Sequence, residues 1–305
     1  MYLSRSLTWL AALCLAFATS ALAQADDPAG ATEAVSITDA GFAGPESVFH
    51  YVAEDVYFVS NTGSNTPGTA DGFISRVSPD GTVEELKWID AAEGVEMFAP
   101  KGLAVVGDRL YAADYGAVRV FDVATGDQLG SVAIEESLFL NGVTPHPDGG
   151  VLVTDTGVDP ATFEPDPNRV AIYRVNEDLT SSLYLQDPGL LAPNGIVGLG
   201  GDRFAVVTFG DPGAVVYVEN GAITETQELT GHGNFDGVVA LEGGDLLVSA
   251  WVGSEILRIT PAGEATPVLQ DYAAPADIGF DADRQLVLIP QLTENVVQFV
   301  PLPAQ

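Results

Sequence analysis

Six times along the chain a polar residue, usually followed by Gly or Ser, opens a short apolar run. The instances are Glu46-Ser47-Val48, Lys101-Gly102-Leu103, Asn141-Gly142-Val143, Asn194-Gly195-Ile196, Asp236-Gly237-Val238 and a degenerate Asp277-Ile278-Gly279. Each is followed by a tight turn (Gly107-Asp108, Asp148-Gly149, Gly243-Gly244-Asp245) and a second apolar strand, as at 110–113, 151–154 and 246–249. A third strand and, past another turn, a fourth complete the unit. The period is roughly forty to fifty-five residues, and the two long steps carry insertions at 62–71 and 157–168. Four short antiparallel strands per unit, repeated six times, predict an all-β, six-bladed β-propeller. A β-sandwich of repeated hairpins is the structural alternative, which the sixfold register disfavours.

The sixth unit stops after its third strand, at 296–300, while a lone strand-like stretch at 33–38 precedes the first unit. That stretch sits where every other fourth strand sits, just upstream of a blade start. Letting it complete the sixth blade pairs both edges and closes the ring, so no strand edge is left exposed. The expected domain runs over 33–302.

Residues ahead of the repeats read as a targeting segment. Arg5 supplies positive charge, 7–18 an apolar stretch, and Ala21-Leu22-Ala23 a small-residue cleavage site before Gln24. This predicts a signal peptide over 1–23, a flexible segment over 24–32, and a periplasmic or secreted protein with no stable membrane insertion after cleavage. A retained anchor is the alternative; the Ala-Leu-Ala ending favours cleavage. Cleavage removes Cys14, the only cysteine, and with it any Cys nucleophile, disulfide or Cys-based metal site.

With 11 basic and 43 acidic residues the formal net charge is −32, which argues against nucleic acid or an anionic membrane as partner. Two readings of this acidity stand: a solvated surface suited to saline surroundings, and attraction of cations towards a site. The expected partner is a small molecule at the channel mouth of a monomer.

In a propeller the first strand of each blade lines the channel, so Glu46, Lys101, Asn141, Asn194, Asp236 and Asp277 are expected to meet at one mouth. Both insertions join second to third strands and would rim that same mouth, a gathering of loops that marks a functional face. Three carboxylates at a narrow mouth raise one another's pKa unless a cation is present. Glu46, Asn141, Asn194 and Asp236 offer hard oxygen ligands suited to Ca²⁺, with Lys101 only partly offsetting their charge. Soft metals are disfavoured. At any single position Asn-Gly or Asp-Gly is explained by turn chemistry; recurrence at equivalent repeat positions favours a cation site.

Further candidates are His50, on the inner strand about 13 Å below Glu46 at ~3.3 Å per residue, and His232, in the loop just before Asp236. His146, in a Pro-His-Pro-Asp-Gly turn, reads as surface. Asp114 and Asp155, ending second strands, read as turn caps. There is no Gly-x-Ser-x-Gly elbow and no phosphate-binding loop.

The segments Gly44-Pro45-Glu46-Ser47-Val48, Leu140-Asn141-Gly142, Ala192-Pro193-Asn194-Gly195 and Phe235-Asp236-Gly237 resemble blade motifs of the SMP-30/gluconolactonase/LRE-like propellers over essentially the whole chain after 23. The resemblance implies one Ca²⁺, or another hard divalent cation, on Glu46, Asn141, Asn194 and Asp236, with Asp236 also serving as catalytic base or nucleophile. Three positions depart from the pattern. Phe139 stands where sugar-lactone hydrolases of the family carry Arg, Gly142 follows Asn141 directly, and Pro45 precedes Glu46. The second unit, Lys101-Gly102-Leu103 with Leu110-Tyr111-Ala112-Ala113-Asp114, is more similar to NHL-type blades of non-enzymatic propellers.

Two functions follow as expectations: a Ca²⁺-dependent hydrolase of a lactone or other ester, or a non-catalytic binding module with a structural metal in its channel. Lys101, Asp277, Phe139, His232 and His50 are expected to contact ligand at the mouth.

Overall fold

The computed structural model describes residues 33–91 and 95–304. The signal-like segment 1–23 and the segment 24–32 lie outside these. Among the described residues no helix is long and apolar enough to cross a membrane.

Alternating apolar strands cut by Gly, Asp and Pro turns fold into six four-stranded antiparallel sheets. Blade 1 is β2 (Pro45–Tyr51), β3 (Val56–Asn61), β4 (Phe73–Val77) and β5 (Val83–Asp90), and blade 2 is β6 (Leu103–Val106), β7 (Arg109–Asp114), β8 (Ala117–Asp122) and β9 (Gln128–Ala133). Blade 3 is β10 (Leu140–Pro145), β11 (Val151–Asp155), β12 (Ala171–Val175) and β13 (Ser181–Gln186); blade 4 is β14 (Pro193–Gly198), β15 (Arg203–Thr208), β16 (Gly213–Glu219) and β17 (Ala222–Leu229). Blade 5 is β18 (Gly233–Ala240), β19 (Leu246–Val252), β20 (Glu255–Ile259) and β21 (Ala265–Gln270). Blade 6 joins β22 (Gly279–Asp281), β23 (Leu286–Gln291) and β24 (Val296–Pro301) to β1 (Val35–Ile37), from the other end of the chain. The expected closure is thus realised, with Val35 opposite Phe299 and Ile37 opposite Val297.

The innermost strands neighbour one another in the order β2, β6, β10, β14, β18, β22 and back to β2. Because each sheet is apolar on both faces, the core is divided into six clusters, one between each pair of adjacent blades. Tyr111, Val118 and Val120 of blade 2 pack on Leu140, Val151 and Val153 of blade 3. Tyr57 and Val59 of blade 1 pack on Leu288, Val297 and Phe299 of blade 6, sealing the ring where the two chain segments meet. Each such large side chain, fully buried, contributes about 1.5–3 kcal/mol.

The seams between inner strands explain the recurrent glycines. A Cβ on Gly102 would lie 2.7 Å from the Asn141 carbonyl, one on Gly142 2.6 Å from that of Asn194, and one on Gly195 2.6 Å from that of Asp236. None of these glycines has positive φ, so they serve close approach of one blade to the next rather than a turn. Turn chemistry is therefore not their reason. Buried hydroxyls of the second strands tie the same seams: Thr154 Oγ1 accepts from Gly142 N (2.9 Å) and donates to the Asn194 carbonyl (2.6 Å). Ser249 Oγ likewise accepts from Gly237 N and donates to the Ala276 carbonyl, both at 2.7 Å.

Candidate functional site

Four of the six inner strands carry a β-bulge at the ring residue. Pairing with the second strand slips between Pro45 and Val48, Leu140 and Val143, Pro193 and Ile196, and Phe235 and Val238. The bulges thus fall at Glu46-Ser47, Asn141-Gly142, Asn194-Gly195 and Asp236-Gly237, and so contain the four residues that the sequence offers as oxygen ligands. A bulge inserts one unpaired residue and re-aims its side chain. In blades 2 and 6 the strands start only at Leu103 and Gly279, beyond Lys101 and Asp277.

Glu46, Lys101, Asn141, Asn194 and Asp236 together line a mouth cavity of about 490 Å³. All five are buried. Among the described residues the buried side-chain atoms without a hydrogen-bond partner include Glu46 Oε2 and Asp236 Oδ1. The other oxygen, Asp236 Oδ2, accepts from Trp251 Nε1 at 2.9 Å, and the neighbouring Asn194 side chain, like Trp251, favours the ionised form of Asp236. Asn141 Nδ2 donates to Thr156 Oγ1 (3.2 Å), turning its Oδ1 the other way.

Burial first, and then the Asp277 carboxylate, push Asp236 up to about 8. Burial followed by the Asp236 and Asp277 carboxylates raises Glu46 well above the usual carboxylate range, against the opposing pull of Lys101. Buried carboxylate oxygens left without donors are costly; with two amide oxygens beside them they form a hard-oxygen donor set that fits a divalent cation.

The remaining ring members differ. Lys101 Nζ donates to the Ala99 carbonyl (3.0 Å) and sits 4.4 Å from the ring centroids of both Tyr115 and Phe139. Burial lowers its pKa, while Glu46 opposes this. Asp277 Oδ2 accepts from Ser47 Oγ at 2.7 Å, and its backbone is bonded to Glu46 and Val48, so it joins blade 6 to blade 1. Asp277 lines the channel below the mouth cavity rather than the cavity itself.

Phe139 lines the mouth and is set by Asp155, whose carboxylate accepts from Leu138 N (2.8 Å) and Phe139 N (2.9 Å). Asp114 does the same for the chain ahead of Lys101, accepting from Ala99 N at 2.7 Å.

Neither His50 nor His232 lines the mouth cavity. His232 Nδ1 is 2.7 Å from Glu255 Oε1, and its ring is not part of the cavity lining. His50 lies towards the opposite end of the channel, 3.3 Å from Asp55 and 3.8 Å from Asp281. His50, Asp55 and Asp281 lie close enough together to share a cation, but Arg284 already pairs with both carboxylates at 2.6–2.8 Å. His146 corrects the surface reading: it is buried, 3.1 Å from Asp202 and stacked on Phe204.

One ring of residues escaped the sequence reading. Immediately after, or at the end of, the six second strands stand Thr62, Tyr115, Thr156, Phe209, Trp251 and Leu292. Five of them line the cavity directly, and Tyr115 reaches it through Lys101 and Phe139. They occupy one position of the repeat, one strand out from the polar ring, so the same register that locates Glu46 and Asp236 also locates them.

No described protein family matches the sequence, and no curated protein matches it. Solved structures do resemble the chain. A gluconolactonase from Xanthomonas campestris is 18% identical with a TM-score of 0.64, covering 86% of this chain and 87% of its own. A luciferin-regenerating enzyme is 13% identical with a TM-score of 0.65, covering 88% and 96%. Virginiamycin B lyase from Staphylococcus aureus is 14% identical with a TM-score of 0.61, covering 89% and 99%. At these identities, what the chain shares with the gluconolactonase and the other two is the fold.

Proposed function

We propose that the protein is a metal-dependent hydrolase of a lactone or other ester, working at the mouth of the propeller channel. The observation that carries this reading is the pair of buried, unpartnered oxygens, Glu46 Oε2 and Asp236 Oδ1, at the floor of a cavity of ligand size. Glu46, Asn141, Asn194 and Asp236 would hold a hard divalent cation such as Ca²⁺. Bound there, the cation would supply polarisation of the ester carbonyl.

The chain's own residues do the rest. Trp251 anchors Asp236 Oδ2, which fixes the plane of the carboxylate and leaves Oδ1 as the atom that takes a proton from water or attacks the carbonyl. Lys101, clamped between two rings, places positive charge beside the floor. The wall above is largely apolar, formed by Phe139, Phe209, Trp251 and Leu292. The likeness in fold to a gluconolactonase agrees with this chemistry. The N-terminal segment supports action outside the cytoplasm, which N-terminal sequencing of the exported protein tests.

Calcium titration calorimetry, combined with a screen of lactones and aryl esters for wild type and Asp236→Asn, tests the function. The expected result is turnover that chelator abolishes and Asp236→Asn reduces by about 10²-fold or more. Phe139, in place of a polar residue, favours one other reading, a binding module with a structural cation. Bound Ca²⁺ with no turnover of any ester would select it.

A further inference from the structure

The cavity walls decide what kind of molecule fits. Above the polar floor stand Phe139, Phe163, Phe209, Trp251 and Leu292, with Tyr115 edge-on to Phe139 at 5.9 Å. Phe209 and Trp251 meet edge to face at 5.3 Å. Blades 2 and 3 supply one set of rings, blades 4 and 5 the other.

The polar groups at this level are already engaged. Thr62 Oγ1 donates to the Gly44 carbonyl, and Thr156 Oγ1 donates to the Pro193 carbonyl while accepting from Asn141. Asn65 Oδ1 accepts from Tyr115 O–H at 2.6 Å. Lys101 is capped by two rings and the Ala99 carbonyl. A polyhydroxylated lactone would therefore bury most of its hydroxyls against carbon, with few groups on the walls left to bond them.

Phe163 is the most telling wall residue. The blade 3 insertion bears it at the rim, 60% exposed, with its ring 6.4 Å from that of Phe139. Its backbone is left-handed, at φ 57°, which bulky residues avoid. The loop enforces this: Phe163 N donates to the Asp159 carbonyl (2.8 Å), Asp159 N to the Glu164 carbonyl (3.0 Å), and the Asp159 side chain caps Ala161 N and Thr162 N. Strain held by a well-bonded loop, and an aromatic ring left in water beside other rings, are accounted for together if a flat apolar group covers that ring.

Resting on the hydrolase reading above, we propose that the ligand of this cavity carries a planar aryl or fused-ring body, with its ester or lactone carbonyl directed to the floor, and that Phe163 is a specificity-determining residue. The purified protein, with CaCl₂ and separately with EDTA, is assayed on dihydrocoumarin and on glucono-δ-lactone. Calorimetry follows binding of α-tetralone, a ketone of the same shape that cannot be hydrolysed, against sorbitol.

The aryl lactone is expected to have a kcat/KM at least about 100-fold above the sugar lactone. Phe163→Ser should raise its KM about fivefold to tenfold with little change in kcat, and Phe163→Leu should recover part of that. Thermal melts check that both variants fold. α-Tetralone should bind, and bind more weakly to Phe163→Ser, even if no ester is turned over; that result upholds the aryl pocket and places the failure in the hydrolase reading. Equal or better turnover of glucono-δ-lactone overturns the proposal. So does a Phe163→Ser variant unchanged in both KM and α-tetralone affinity.

Discussion

Trp251 donates its indole N–H to Asp236 Oδ2 at 2.9 Å, and Asp236 Oδ1 is left buried without a partner. One residue of the outer ring thus orients one residue of the inner ring, across paired strands β18 and β19. Trp251→Phe keeps most of the ring but removes the donor. Since the Trp251 hydrogen bond lowers the Asp236 pKa, its loss favours the protonated acid and weakens cation binding. A hydrogen bond to a charged group is worth about 1.5–3 kcal/mol, so Ca²⁺ affinity at pH 7 should fall about tenfold or more. Unchanged affinity by calorimetry would show that Oδ2 needs no anchor.

The raised carboxyls set a pH dependence. Asp236, pushed up to about 8 by burial and by Asp277, and Asp277, pushed up to about 6 by burial, hold their protons in the folded state to higher pH than in the unfolded chain. Between about pH 4, where the unfolded carboxyls ionise, and pH 8 the folded state binds more protons, so stability of the cation-free protein falls as pH rises. In EDTA the Tm should drop by several degrees from pH 5 to pH 8. Asp236→Asn should flatten this slope, and Ca²⁺ should restore the Tm at pH 8 by displacing the protons. A slope identical in Asp236→Asn and wild type would assign the effect to general surface repulsion.

Gly195 and Gly198 lie on the same strand with different surroundings. A Cβ on Gly195 would meet the Asp236 carbonyl at 2.6 Å, whereas one on Gly198 would find only Phe204 Cε1, at 3.9 Å. Gly195→Ala should cost about 1–3 kcal/mol through overpacking and weaken Ca²⁺ binding by shifting Asp236. Gly198→Ala should stay within about 0.5 kcal/mol of wild type. Denaturant titration of the two variants side by side makes the comparison.

Closure of the ring depends on the last blade. Phe299 is fully buried, 4.7 Å from Tyr57 in an edge-on contact, and opposite Val35. Phe299→Ala should cost about 3–5 kcal/mol, as for other buried Phe truncations, read as a lower denaturant midpoint. A loss below about 1 kcal/mol would mean that the seam between blades 6 and 1 carries little of the fold's stability.

The repeat made the fold legible, because four strands and a turn recur with a polar residue at the same position of each blade start. The same residue gave the floor of the site. Its geometry was hidden: nothing in Asn141-Gly142 announces a bulge, since the slip belongs to the pairing with β11 and not to either strand alone. The outer ring was legible but unread. Tyr115, Phe209 and Trp251 look like ordinary strand ends until they are placed in register with Thr62 and Thr156. Phe163 carries no repeat signal, because an insertion has no counterpart in other blades. His50 stands down the inner strand and His232 in the loop before Asp236, as the sequence places them, but period and proximity along the chain do not say that Asp55 or Glu255 will claim the ring.

The glycine seams have a consequence for how such a site can change. Beside Lys101, Asn141 and Asn194 the backbone is wedged by the next blade's backbone at Gly102, Gly142 and Gly195, through contacts that involve no ring side chain. At these three blades the frame of the mouth is therefore indifferent to whether the ring residue is Asn, Asp, Glu or Lys. Side chains can be exchanged one blade at a time, altering charge and chemistry at the centre while the hoop that holds them keeps its diameter.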